Sequence, residues 1–232
     1  MNRFLNHHLS LEMKQLLFLP ENTIPLAKGT FLFKEGTPAT ELYMIRTGTV
    51  RLSKESADGR ELTIHIGSSG DLIGELTLYA TSSKHQLNAK VIESGEAIVI
   101  KKEFLEEQLL LSKNLSLEYI KMMNERVQST QIKLRDLIMY GKKGAVYSTI
   151  IRMANKYGIQ LKNGDIVIDI PVTLQEVGLL SGTSRENVSR MVSELQNQKI
   201  VTFHEAELII HKLNYLKEEI CCDQCPNYFC MV

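Results

Sequence analysis

The chain has 232 residues, with 27 Lys+Arg against 27 Asp+Glu, 44% hydrophobic and 23% charged residues. That length is about one and a half typical domains, so it predicts two domains with a connector, and the composition is that of a globular protein with a sizeable core. No stretch approaches the ~18 apolar residues of a membrane span, residues 1–14 lack a signal-peptide core, and all four cysteines (Cys221, Cys222, Cys225, Cys230) lie near one end, which excludes a secreted disulfide scaffold and places the protein in the cytoplasm.

From Phe31 to about Ile100, short apolar or alternating runs are separated by glycine turns. The runs are 31–33, 42–45, 50–52, 62–66, 88–92 and 97–100, and Asp58-Gly59 is a hairpin signal. This block is expected to be all-β, rolled or barrel-like. Between Phe104 and Tyr140 the period changes to about three and a half. Leu117, Ile120, Asn124, Val127, Gln131, Leu134 and Ile138 form a stripe suited to a two-helix seam, and the alternative is a helix that simply covers the β-block. Gly141-Lys-Lys-Gly144 then breaks the helix as a hinge.

Residues 146–156 read as an amphipathic helix and 166–171 as a short strand ended by proline. Two short helices at 173–180 and 184–196 flank Ser181-Gly182-Thr183, and 200–204 with 207–211 form a hairpin. Helix, glycine turn, helix and two-strand wing outline a winged helix-turn-helix. The whole is therefore α+β. The expected divisions are 1–110 for the β-roll, 111–140 for the dimerisation helix, 141–217 for the winged helix and 218–232 for a cysteine-rich tail.

On the second short helix, Val188, Met191, Val192 and Leu195 share one face, while Arg185, Glu186, Ser189 and Arg190 lie on another near its start. Arginine pairs with guanine O6 and N7, glutamate accepts from cytosine N4, and serine serves bases or phosphate, so these four are the candidate DNA contacts. Thr183 and Glu186 also have capping-box spacing, which offers Glu186 a purely structural use. Residues 139–215 carry nine Lys+Arg against seven Asp+Glu, a mild excess that suits site-specific binding more than coating.

Cys222-x-x-Cys225-Pro226-x-x-x-Cys230 puts three thiols on a short loop, a pattern for metal or redox chemistry. The Cys-Pro pair suits an iron–sulfur site, and structural zinc, with Cys221 or His211 as fourth ligand, is the alternative. No nucleophile, base and orienting group converge, the six histidines are scattered, and no phosphate-cradling glycine loop appears, so an enzyme is not expected.

Phe33-Lys-Glu-Gly36, Gly70-Asp-Leu-Ile-Gly-Glu-Leu76, the long helix and Arg185-Glu-x-x-x-Arg190 resemble the Crp/Fnr family of bacterial transcription regulators over nearly the whole chain. The resemblance implies a homodimer with an N-terminal sensor β-roll, a dimerisation helix and a C-terminal winged helix that binds a TGTGA-type palindrome and works with RNA polymerase. Cyclic-nucleotide-binding members carry an Arg-Ser pair soon after Gly-Glu-Leu. Here Thr77 to Gln86 contains no arginine, and Ser83-Lys84 lacks a bidentate fork, which argues against cyclic AMP. The tail is similar to the Bacillus-type Fnr subgroup, unlike the enteric type with its N-terminal cysteines. That likeness implies a [4Fe–4S] cluster, one per subunit, on Cys222, Cys225 and Cys230, with Asp136, ahead of Tyr140-Gly-Lys-Lys-Gly144, as fourth ligand. Cys221 competes for that place, and the ordinary alternative for Asp136 is a surface carboxylate paired with Lys133 or Arg135. Oxygen-responsive control of anaerobic genes is the implied function.

Overall fold

A computed structural model describes residues 22–59, 61–74, 77–80, 84–222 and 230. Its contacts divide the chain into two compact units, 1–123 and 124–232. The first is built on one antiparallel sheet: β1 (Thr23–Leu26), β2 (Phe31–Phe33), β3 (Glu41–Glu55), β4 (Glu61–Gly67), β5 (Leu72–Ile73) and β6 (Asn88–Lys101). The sheet order is β1-β6-β3-β4, with β2 paired to β6 and β5 to β3. The runs at 42–45 and 50–52 are one long strand, as are 88–92 and 97–100. Register shifts between Ile45 and Val50 absorb the irregular middle of β3 opposite β6. Gly48 sits there at φ +85°, where a side chain would meet the Glu93 carbonyl at 2.7 Å.

Two apolar clusters fill this unit. One gathers Tyr43, Ile45, Val50, Ile73, Val91 and Ala97 inside the roll. The other sets Leu42, Met44, Ile98 and Ile100 against Leu105 and Leu109 of helix α1 (Lys102–Leu111) and Leu115. Burying each valine, leucine, isoleucine or methionine among them stabilises the fold by about 1.5–3 kcal/mol. Helix α1 ends at Ser112, whose extended backbone separates it from α2 (Lys113–Tyr157). The Ser112 hydroxyl accepts from the Leu115 N–H and restarts the helix.

Gly141 interrupts α2 with φ 61° and ψ −154°, a backbone region open essentially to glycine. At Gly144 an added Cβ would lie 2.3 Å from the Tyr140 Cβ and 2.6 Å from the Asp136 carbonyl oxygen. The glycine pair therefore has two separate tasks. Gly141 turns the chain, and Gly144 lets the second helical limb close against the first.

The second unit continues with β7 (Gly158–Gln160), β8 (Ile166–Ile168), α3 (Leu174–Ser181), α4 (Arg185–Asn197), β9 (Val201–His204), β10 (Glu207–Ile210) and α5 (Leu213–Glu219). Its sheet order is β7-β8-β10-β9. Tyr147, Ile150, Ile151, Val177, Val188, Val192, Leu195, Ile210, Leu216 and Cys230 belong to one buried core, so the wing, both short helices and the last cysteine close over the same limb of α2. The strand β7 and helix α5 carry no strong period and are not foreseen from the sequence.

Candidate nucleic-acid interface and thiol site

Helix α3 starts with a complete capping box: the Glu176 N–H donates to Thr173 Oγ1 (3.1 Å), and the Thr173 N–H donates to Glu176 Oε2 (2.8 Å). It ends at Gly182, left-handed at φ 67°, while the close pass of Thr183 over Gly178 (2.9 Å from an added Cβ) sets the turn. Helix α4 follows with Ser184, not Thr183, as its N-cap, accepting from the Asn187 N–H at 3.3 Å. The box spacing between Thr183 and Glu186 is therefore not used. Instead the Glu186 carboxylate is held below its ordinary pKa by its own backbone N–H first and the Ser184 hydroxyl second, so it is an ionised acceptor at neutral pH.

The buried face of α4 is Val188, Val192 and Leu195, with Met191 packed beside them. Arg185, Glu186 and Arg190 are exposed and Ser189 is half-buried. Arg190 donates through Nη2 to Asn187 Oδ1 at 2.8 Å, which orients its guanidinium along the exposed face. The wing hairpin turns at Glu205 and Ala206, both at positive φ, and its Thr202 shares a 2.8 Å hydrogen bond with His211 Nε2. His211 Nδ1 lies 3.0 Å from Asp165, so both ring nitrogens of the candidate zinc histidine are engaged inside the wing.

The thiol site lies at the Gly141 bend. Asp136 is 1% exposed. Its Oδ1 accepts from Arg135 Nε (3.0 Å) and Nη2 (2.8 Å), while Oδ2 accepts from Arg152 Nη2 (2.9 Å) and from the Ser148 hydroxyl. It is thus no surface carboxylate, and its buried partner is Arg152, 3% exposed, rather than Lys133. Among the described residues, the buried Arg152 Nε meets no hydrogen-bond partner. Positive charge crowds this seam: Lys133 is pushed down to about 8, by burial first and then by Arg152, Lys156 and Arg126.

The tail reaches the same bend within the one chain. Tyr140 has its pKa raised, chiefly by a hydrogen bond with the Cys221 thiol, with Asp136 adding to the rise and Arg135 opposing it. Cys222 packs against the core, and Cys230 is buried with its carbonyl accepting from Asn155 Nδ2 at 2.8 Å. Neither forms a disulfide among the described residues. Cys225 lies outside the described residues, and among those described no three His, Cys, Asp or Glu form a metal-sized group. Sequence reasoning missed Ser148 and Arg152. The available signal was an arginine set inside the apolar run Ile150-Ile151-Arg152-Met153-Ala154, where a charge is buried only with a partner.

In the roll, the segment that would grip a cyclic phosphate is only partly described. Lys84 is exposed there. His85, 5% exposed, stacks on Phe33 with centroids 3.6 Å apart, and burial lowers its pKa. It exchanges backbone hydrogen bonds with Gly36 and Thr37, so one of the scattered histidines is a core residue that ties Phe33-Lys-Glu-Gly36 down.

Residues 23–111 match the family described as the cyclic nucleotide-binding domain, and residues 145–219 match the Crp-like helix-turn-helix domain. The anaerobic regulatory protein of Bacillus subtilis is 38% identical over 225 residues, covering 97% of this chain and 94% of that one. The chain belongs to the Crp/Fnr family. A CRP-like cAMP-activated global transcriptional regulator of Mycobacterium tuberculosis is 24% identical over 81% of this chain and 83% of its own length. The solved structure of the c-di-GMP responsive global regulator CLP of Xanthomonas campestris superposes with a TM-score of 0.73 at 20% identity, covering 87% of this chain and 99% of that one. As a Crp/Fnr member the protein is a DNA-binding transcription regulator and not an enzyme, with the expected α+β order of β-roll, long helix and helix-turn-helix. No described helix is long and apolar enough to cross a membrane.

Proposed function

We propose that this Crp/Fnr regulator is an oxygen-responsive homodimer that reads a TGTGA-type palindrome and controls anaerobic genes together with RNA polymerase. The observation that carries the DNA part is the exposed start of α4, where Arg185, ionised Glu186 and Arg190 stand clear of the core that anchors the helix. Arg185 and Arg190 are placed to donate to guanine edges, Glu186 to accept from cytosine, and Ser189 to meet a base or phosphate. The dimer is supported by the stripe on α2: Leu117, Ile120, Val127, Leu134 and Ile138 are 47–71% exposed, an apolar row that a second copy would cover. A two-fold pair then presents two α4 helices to half-sites one DNA turn apart.

The sensing part rests on the tail and on the Bacillus subtilis relative's name as an anaerobic regulator. Cys222, Cys225 and Cys230 would hold a [4Fe–4S] cluster, with Asp136 as the fourth ligand. The donor types are those such a site uses, but Asp136, Cys222 and Cys230 are not gathered into a metal-sized group in the chain as it stands. Cys230 and Cys222, neither in a disulfide, lie against the core that the second limb of α2 joins, and Asp136 is a carboxylate at the Gly141 bend, although each of its oxygens is occupied. When bound, the cluster supplies an oxygen-labile cross-link between tail and helix. The chain's own part is to fix the two ends of that link: Asn155 holds the Cys230 backbone, and the Gly141 bend sets where the α4 unit begins. Cyclic AMP has no place in this scheme, because no arginine stands between Thr77 and Gln86.

The test is anaerobic binding to a palindromic duplex, repeated after air exposure. Specific affinity that falls in air, with unchanged non-specific binding, supports the proposal. Equal affinity before and after air, or a tail holding one zinc, contradicts its sensing half.

A further inference from the structure

The histidines are scattered in sequence, yet the wing brings one of them between a hydroxyl and a carboxylate. Thr202 Oγ1 lies 2.8 Å from His211 Nε2, and His211 Nδ1 lies 3.0 Å from Asp165 Oδ1. An ionised carboxylate only accepts, so the ring nitrogen facing it carries the proton. Nε2 then keeps its lone pair, and the Thr202 hydroxyl donates to it. Asp165 is itself held in place: Asn163 Nδ2 donates to its Oδ2 at 2.7 Å, and its own N–H donates to Asn163 Oδ1 at 3.1 Å. Thr202 is exposed. An exposed hydroxyl bonded to an oriented imidazole is the arrangement that makes an alcohol a nucleophile.

The strand register sets an apolar row beside that hydroxyl. Thr202 pairs with Ile209, Ile209 with Val167, and Val167 with Ile159, which crosses β9, β10, β8 and β7 in turn. Their chain neighbours Val201, Leu208, Ile210 and Ile168 are buried in the core, so the row lies on the opposite, outward face of the sheet. Such a face ordinarily carries polar residues. Here Val167 and Ile209 are half-buried and Ile159 is 44% exposed. From Thr202 the row spans three strand spacings, about 14 Å.

We propose that Thr202 is a self-acylation site, taking the acyl group of an activated carboxylic acid (a thioester or acyl phosphate) with its alkyl chain laid along Ile209, Val167 and Ile159. The bond from Oγ1 to the carbonyl carbon forms, and the bond from that carbon to the sulfur or phosphate oxygen breaks. The leaving group departs with the proton that His211 Nε2 has taken from the hydroxyl, and nothing is oxidised or reduced. One ester forms per chain, so the regulator modifies itself and turns nothing over. His211 is the base, and Asp165 and Asn163 are positioning residues that act through it. The apolar row selects an acyl group over a phosphoryl group, whose charge it could not solvate. The next residue, Phe203, lines a cleft with Arg185, so the modified strand borders the DNA-reading helix. None of this depends on the oxygen-sensing reading.

The experiment incubates the full chain with p-nitrophenyl acetate or p-nitrophenyl octanoate and follows p-nitrophenolate release, intact mass and peptide mapping. Hydroxylamine cleaves an ester at Thr202 and leaves amides on lysines intact. One hydroxylamine-labile acyl group on Thr202 is expected, formed on the order of tenfold more readily from the octanoate than from the acetate. Thr202→Val should abolish it. His211→Asn should lower the limiting rate by about 10²-fold or more, and Asp165→Asn should lower it less, both at an unchanged half-saturating ester concentration. Ile159→Ser, at an exposed position that leaves the fold intact, should raise the half-saturating octanoate concentration and leave the limiting rate. No labile adduct on Thr202, or one formed as fast in both His211→Asn and Asp165→Asn, overturns the proposal. Equal labelling by the two esters overturns the alkyl-chain row.

Discussion

Arg190 and Arg152 stand on helical segments of the same compact unit, in opposite surroundings. Arg190 is exposed and, among the described residues, donates a hydrogen bond to Asn187, so its charge can meet a ligand at little cost to the fold. Arg152 is 3% exposed and paired with a carboxylate that is itself buried, so the pair belongs to the architecture of the bend. An arginine at the surface can be spent on recognition, whereas a buried one commits the chain to a particular arrangement of its limbs. Removing one member of a buried pair leaves an uncompensated charge, and removing an exposed one leaves only a hydrated side chain.

The sharpest break of this contrast is Asp136→Ala in the metal-free protein. It strands Arg152 and should cost about 3–5 kcal/mol in urea unfolding. A loss within about 0.5 kcal/mol, the range of ordinary surface changes, would place the pair on the surface side of the comparison. Next is Gly144→Ala. Its Cβ would meet the Tyr140 Cβ at 2.3 Å and the Asp136 carbonyl at 2.6 Å, so the limbs must part. A cost of about 1–3 kcal/mol in thermal or urea unfolding is expected for such overpacking.

The exposed side is tested by Arg190→Ala. Stability should stay within about 0.5 kcal/mol, while discrimination at one base pair falls by ~1–3 kcal/mol in competition binding. Unchanged footprints and competition ratios would remove Arg190 from the reading face. The smallest expected effect is at Lys133. Its folded pKa of about 8 lies below the ordinary lysine value of 10.5, so between those values the unfolded chain binds more protons and stability rises with pH. From pH 8 to 10 the metal-free wild type should gain about 1 kcal/mol more than Lys133→Met, after allowing for solvent screening.

Much of this was visible in the residues. Alternation and glycine spacing gave the roll, a three-to-four period gave the long helix, and Ser181-Gly182-Thr183 between two amphipathic runs gave the helix-turn-helix. The weaker parts have physical reasons. Strand β5 is two residues long and helix α5 seven, too short for a period to show. The merging of runs into β3 and β6 reflects bulges that interrupt alternation without ending the strand. At the site, the exposed face of α4 followed from its amphipathic pattern. The environment of Asp136 did not, because Ser148 and Arg152 lie 12 and 16 residues away and meet it only after the chain turns at Gly141.

The proposed sensor is an oxygen-labile cluster held by the tail and Asp136. The most direct measurement is anaerobic purification followed by a visible spectrum with iron, sulfide and zinc analysis, before and after air. A brown protein with about four irons and matching sulfide per chain, the content of a [4Fe–4S] centre, bleaching on exposure, is the expected result. A colourless protein with one zinc per chain, unchanged by air, would contradict it.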